Sequence, residues 1–207
     1  MLVIMSDSPA SASATSSGIR RTAPAVDEMA LLAQAQAGSA AAFDELITIH
    51  QEKIARLVQR LLGWQSDVED VVQDAFLDAL VGLKKFDGRS TVLTWLTRLA
   101  INRCRSQQRK AWFRKKLHLR LRDNTTSLEY QPADHSAVTK ETAEQIYAAI
   151  RKLAQRDREI IVLRYLEELP VEQIAAVLNL GRGTVDVRLT RARRRLEKLL
   201  KPILKEI

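Results

Sequence analysis

The 207-residue chain holds one cysteine, Cys104, which excludes a disulfide framework and any Cys-based zinc site. Seven glycines, five prolines and 5% aromatic residues leave little material for the turn-rich, ring-filled strands of a sandwich or barrel. No apolar run approaches the roughly 18–20 residues of a membrane span, so no membrane insertion is expected. His50, His118 and His135 lie in different segments without a shared partner pattern, and no glycine-rich phosphate loop occurs. Asp70 and Asp74 stand four residues apart but lack a third converging ligand. The chain is therefore expected to be no enzyme and to carry no metal or cofactor. Met1–Met5 is apolar, yet shorter than the roughly 7–15 residues of a signal-peptide core and without a preceding base. Residues 1–25, rich in Ser and Ala, are expected to be a disordered tail, and the protein cytoplasmic.

What is present is helix-forming sequence with segregated charge. Ala, Leu, Arg, Gln and Glu are abundant. The net charge is +8, but from Asp27 to Asp87 eleven acids face five bases. From Arg98 to Arg122 there are ten bases and no acid, and from Arg182 to Lys205 nine bases against Asp186 and Glu197. Two separated basic blocks suggest two contacts with a polyanion.

Apolar residues recur at helical spacing. Phe43, Leu46, Ile47, Ile54, Leu57, Val58, Leu61 and Leu62 form one run, ended by Gly63. Val68, Val71, Val72, Ala75, Phe76, Ala79, Leu80 and Leu83 form the next, closed by Asp87-Gly88. Ser90 or Thr91 then caps a helix whose buried stripe is Leu96, Leu99, Ala100 and Cys104. These predict a bundle of three or four helices over 26–113. Periodicity fails over 114–139, which reads as a linker, and resumes with Ile146, Ala149, Ile150 and Leu153. The run Ile160–Leu163 has strand propensity but no partner strand, so helix is the expectation.

The last domain, 140–207, contains the pattern of a helix-turn-helix. Pro170 opens a two-turn helix carrying Val171, Ile174, Ala175 and Leu178. Asn179-Leu180-Gly181 supplies a turn in which Asn and Gly tolerate positive φ. Thr184 is the expected N-cap of the final helix, with Val185, Leu189, Ala192, Leu196 and Leu199 inward. Val187, Thr190, Arg191 and Arg194 share the opposite face, flanked by Asp186, Arg188 and Arg195. Such a helix suits the major groove, its first turns toward base edges and its arginines toward phosphates.

Two other faces carry chemistry. Asp70, Gln73, Asp74, Leu77 and Val81 cluster opposite the apolar stripe of their helix, leaving two exposed apolar residues among carboxylates. That suits docking against a basic amphipathic helix of a partner, although scattered apolar surface residues are also ordinary. Trp95, Arg98, Asn102, Arg105 and Arg109 follow one helical face, where they can stack on unpaired bases, hold phosphates and read a base edge. Trp95 suits the core equally, and Trp112-Phe113 is either a further stacking pair or the end of the bundle.

Three segments carry a family resemblance: DVEDVVQDAFLDA from Asp67, TWLTRLAIN from Thr94, and GTVDVRLTRARRRL from Gly183. In order and spacing they resemble the extracytoplasmic-function group of bacterial sigma-70 factors. The resemblance implies an all-α chain of two small helical domains joined by a flexible linker. It implies that Asp70, Gln73, Asp74, Leu77 and Val81 bind core RNA polymerase. Trp95, Arg98, Asn102, Arg105 and Arg109 would hold the single-stranded minus-10 element and promote opening. Arg182, Thr184, Asp186, Val187, Arg188, Thr190, Arg191, Arg194 and Arg195 would bind the minus-35 duplex. An anti-sigma factor is a further partner common in the family.

Two departures stand out. Val92 replaces an aromatic common in the loop that receives a flipped base. Asp186 and Val187 replace a basic residue and a serine, and Asp186 can accept a hydrogen bond from cytosine N4, which implies an unusual minus-35 preference. The rival reading is a helix-turn-helix regulator that works without polymerase; it leaves the Leu77–Val81 and Trp95–Arg109 faces without a use.

Overall fold

A computed structural model describes residues 27–63, 68–119 and 137–203. The expected N-terminal tail and the middle of the expected linker lie outside the described residues. Among those described, the chain is helical without strands: α1 (Glu28–Gln36), α2 (Ala40–Leu62), α3 (Val68–Gly82), α4 (Val92–Leu119), α5 (Ala137–Lys152), α6 (Gln155–Ile161), α7 (Val171–Leu178) and α8 (Arg182–Leu200). None of these helices is long and apolar enough to cross a membrane.

Local chemistry sets the helix ends. Asp27 Oδ1 accepts from the amides of Met29 and Ala30 at 3.1 and 3.2 Å, and Ser39 Oγ from Ala42 at 3.3 Å, so α1 and α2 start on side-chain caps. Gly63 ends α2 with φ 80° and ψ −174°, a conformation open essentially only to glycine. Of the two caps expected for α4, Thr91 serves: its Oγ1 accepts from Thr94 N at 3.2 Å. Leu46, Ile54, Leu57, Val58 and Leu61 of α2 then pack with Val71, Ala75 and Ala79 of α3 and Leu96, Ala100, Ile101 and Cys104 of α4. Alanine at positions 79 and 100, both fully buried, lets neighbouring helices approach closely.

The second domain closes over Ile160, Ile161, Val162, Leu163, Ile174, Val185 and Ala192, all buried. The apolar run Ile160–Leu163 is helical, as expected. After α6 the chain continues in a wider turn, with Glu167 N bonding Val162 O five residues back at 3.0 Å. Between α7 and α8, Asn179 takes the left-handed conformation, φ 53° and ψ 54°.

Several local expectations need correction. Gly181 does not use positive φ; at −70° it precedes α8, its carbonyl accepting from Thr184 and Val185 at 2.9 and 3.1 Å. Thr184 therefore lies inside α8 and is not its cap. The segment expected to begin the linker at Arg114 is helical through Leu119, because Arg, Lys and Leu sustain a helix without an apolar stripe to bury. At the other end, α5 begins at Ala137, inside the expected linker. Leu80, expected in the buried stripe, is 51% exposed: the α3 seam centres on Val71, Ala75 and Ala79, and Leu80 lies a further 100° round.

The two helical domains touch. Arg60 of α2 donates to Leu166 O and, at 2.7 Å, to Glu167 Oε1, while Arg158 Nη1 donates to Leu61 O at 3.0 Å.

Candidate nucleic-acid interface

On α8, Val185 and Ala192 face inward and anchor the helix against α6 and α7. The opposite face is open. Val187 is 50% exposed, and Asp186, Thr190, Arg191 and Arg194 are exposed beside it. Thr190 Oγ1 donates to Asp186 O at 3.0 Å, which fixes that hydroxyl along the helix. Arg188 is half-buried and Thr184 exposed near the helix start. Arg182 reaches back to Glu172 of α7 at 2.9 Å, an exposed pair that phosphate can displace at little cost. Arg195 pairs with the buried Asp157 of α6, so it also braces α8 against its own domain.

The acidic face of α3 is exposed as its periodicity requires. Asp70 and Gln73 are exposed, Leu77 is 58% and Val81 82% exposed, and Leu80 joins them. Asp74 and Asp78 both meet Arg103 of α4, Asp74 at 3.2 Å. The bond to Asp78 raises the Arg103 pKa, and the three groups fix the α3 face relative to α4. Sequence reasoning counted Arg103 among the bases and Asp78 among the acids without pairing them; their helical periodicities do place them on facing sides of the α3–α4 seam.

The α4 face is divided. Trp95 stacks on Phe86 with ring centroids 4.7 Å apart and 21° between planes, and a Cβ at Gly82 would come within 3.4 Å of its ring. It is half-buried in the first domain. Arg98 Nη2 donates to Ala176 O of α7 at 2.6 Å. Arg105 forms two bonds to Glu159 of α6, at 2.9 and 2.6 Å, and Gln155 Nε2 adds a third at 3.0 Å. The carboxylate is buried, and its bond to Arg105 raises the arginine pKa. Asn102 and Arg109 remain exposed. Two residues of the predicted strand-holding face are thus open and two are engaged by the second domain. Nothing local singled out Glu159, because an acid is almost never buried unless a cation pairs with it, and that cation lies on another helix.

Val92 is not in a loop. It opens α4 and is buried, filling core space. Cys104 lies beneath the Arg105 contact, where burial first and the Glu159 charge second push its thiol up to about 12.

Comparison with known proteins finds two matched stretches and several relatives. Residues 46–114 match the family model for sigma-70 region 2, and 143–196 that for sigma-70, region 4. The chain is 32% identical over 177 residues to the ECF RNA polymerase sigma factor SigW of Bacillus subtilis, covering 82% of this chain and 95% of that one. It is 30% identical over 185 residues to the ECF RNA polymerase sigma-E factor of Escherichia coli K12, covering 86% and 96%. Among solved structures it is similar to CnrH in complex with the cytosolic domain of CnrY, at TM-score 0.63 and 27% identity over 84% of this chain and 97% of that one. It is also similar to the sigma factor RpoE in complex with the anti-sigma factor NepR from Bartonella quintana, at TM-score 0.63 and 25% identity over 77% and 96%.

Proposed function

The chain belongs to the extracytoplasmic-function group of the sigma-70 family and directs core RNA polymerase to promoters, and we propose that three helical faces divide that work. On α3, Asp70, Gln73, Asp74, Leu77 and Val81, joined by Leu80, dock on the polymerase. On α4, Trp95, Arg98, Asn102, Arg105 and Arg109 hold the opened minus-10 strand, once Arg98 and Arg105 leave their contacts on α7 and α6. On α8, Arg182, Thr184, Asp186, Val187, Arg188, Thr190, Arg191, Arg194 and Arg195 bind the minus-35 duplex. The corresponding units are the helical domain that ends with α4 and the one that begins with α5. The protein carries no chemistry of its own and works in the cytoplasm, where an anti-sigma factor is a fitting partner, as for RpoE of Bartonella quintana.

One observation supports this reading most: three apolar side chains, Leu77, Leu80 and Val81, lie open beside carboxylates in a chain that also bears an arginine-rich helix-turn-helix. A polymerase-independent regulator has no use for that patch. The test is run-off transcription with core polymerase on a genomic promoter library. Defined new start sites are expected, and Leu77→Asp/Val81→Asp should cut them by at least about tenfold, the loss of roughly 1.4 kcal/mol of docking. Duplex binding that persists without any new start would favour the regulator.

A further inference from the structure

From Arg109 to Leu117 the described side chains of α4 are exposed. The helix buries Ile101 and Cys104, but Arg109, Lys110, Trp112, Phe113, Arg114, Lys116 and Leu117 are all exposed. Apolar side chains gain nothing there from the fold, yet Trp112 is 56% and Phe113 62% exposed. Their rings meet edge to face with centroids 5.0 Å apart, and Lys116 Nζ lies 5.0 Å from the Trp112 centroid. On the adjoining side Ser106, Arg109, Lys110, Phe113 and Arg114 line a shallow open groove.

The charges choose the occupant. Arg109, Lys110, Arg114 and Lys116 surround the rings, and no acid occurs between Arg98 and Arg122. A basic partner is repelled, and a plain apolar one would desolvate four cations without compensation. An unpaired nucleic-acid strand offers phosphates for the cations and flat base faces for the rings. A duplex offers only the phosphates, because its base faces are already stacked. We propose that the Trp112–Phe113 end of α4 is a stacking platform for a single DNA strand, continuing the strand track about 15 Å beyond Asn102 at about 1.5 Å per residue. This rests on the reading of α4 as the strand-holding helix.

The test measures fluorescence anisotropy of a labelled oligo-dT, and of a labelled duplex of equal length, titrated with the full chain. Trp112→Ala/Phe113→Ala should weaken oligo-dT binding by about ten- to a hundredfold while changing duplex binding less than about twofold. Trp112→Phe/Phe113→Tyr should restore the strand affinity. Arg114→Gln/Lys116→Gln should weaken both probes and flatten their salt dependence. An unchanged oligo-dT affinity in the double alanine variant, an equal loss on both probes, or no wild-type binding to oligo-dT overturns the platform. The first of these is also the result if the face serves a protein partner. Run-off transcription by the wild type with core polymerase reports separately on the sigma-factor reading. Transcripts without a selective strand loss in the variant sink the platform alone; a selective loss without transcripts sinks the α4 assignment on which it rests.

Discussion

His50 lies in the α1–α2 packing, 2% exposed, with Nε2 3.5 Å from Glu28 Oε1. Burial lowers its pKa from the ordinary 6.5, with Glu28 opposing the shift and Lys53 adding to it. The fold thus prefers neutral imidazole, and the unfolded chain takes up the proton first as pH falls. The stability this contributes is present above pH 6.5 and is lost as pH drops through the lower folded-state value. The urea midpoint should therefore fall between about pH 7.5 and about 5.5, and less steeply in His50→Leu; equal slopes would remove His50 as the cause. Asp186 gives a second test at this scale. Its carboxylate is exposed on the outer face of α8, where it repels phosphate and can accept from cytosine N4. Asp186→Lys is expected to shift the preferred minus-35 sequence in a duplex selection, and an unaltered preference would sink that role.

Among the elements, α2 is held at its end by Gly63. A Cβ there would meet Arg151 Cδ at 3.3 Å, and φ 80° with ψ −174° is strained for any other residue. Gly63→Ala should cost about 1–3 kcal/mol in urea unfolding; a loss below about 0.5 kcal/mol would show that the chain end relaxes freely. Gly63 is also an example of what could be read from the residues alone. The stripes of α2 and α3, the glycine that stops α2, the Thr91 cap and the short α7 before α8 each depend on neighbours within a few turns. The end of α4, from Arg114 to Leu119, was not legible for the converse reason: loss of an apolar stripe reads as loss of helix, although exposed Arg and Lys maintain one. Nor could spacing pair Arg105 with Glu159, since 54 residues separate them and many acids were available. The exposed faces of α3 and α8 were legible; the engagement of half the α4 face was not.

For the whole molecule, that engagement matters most. Arg98 bonds α7, Arg105 bonds a buried carboxylate on α6, and Arg60 and Arg158 bond across the same domain contact. Glu159→Gln removes the charge that holds Arg105. It should enlarge the radius of gyration in small-angle scattering and tighten single-strand binding by several-fold; an unchanged radius with unchanged affinity would show that Glu159 does not hold the domains together. A guanidinium can answer one carboxylate or one phosphate, so, in the proposed reading of α4 as the strand-holding helix, the closed chain competes with DNA for its own side chains. Apparent strand affinity then falls below that of an open form by the fraction of chains that are open, so a fraction of about one in a hundred would cost about a hundredfold. More copies of such a protein do not make each copy more open. A ligand that binds only the open form, whether polymerase or strand, makes the next ligand of that form bind more tightly by up to the same factor, and the order of their arrival leaves the final free energy unchanged.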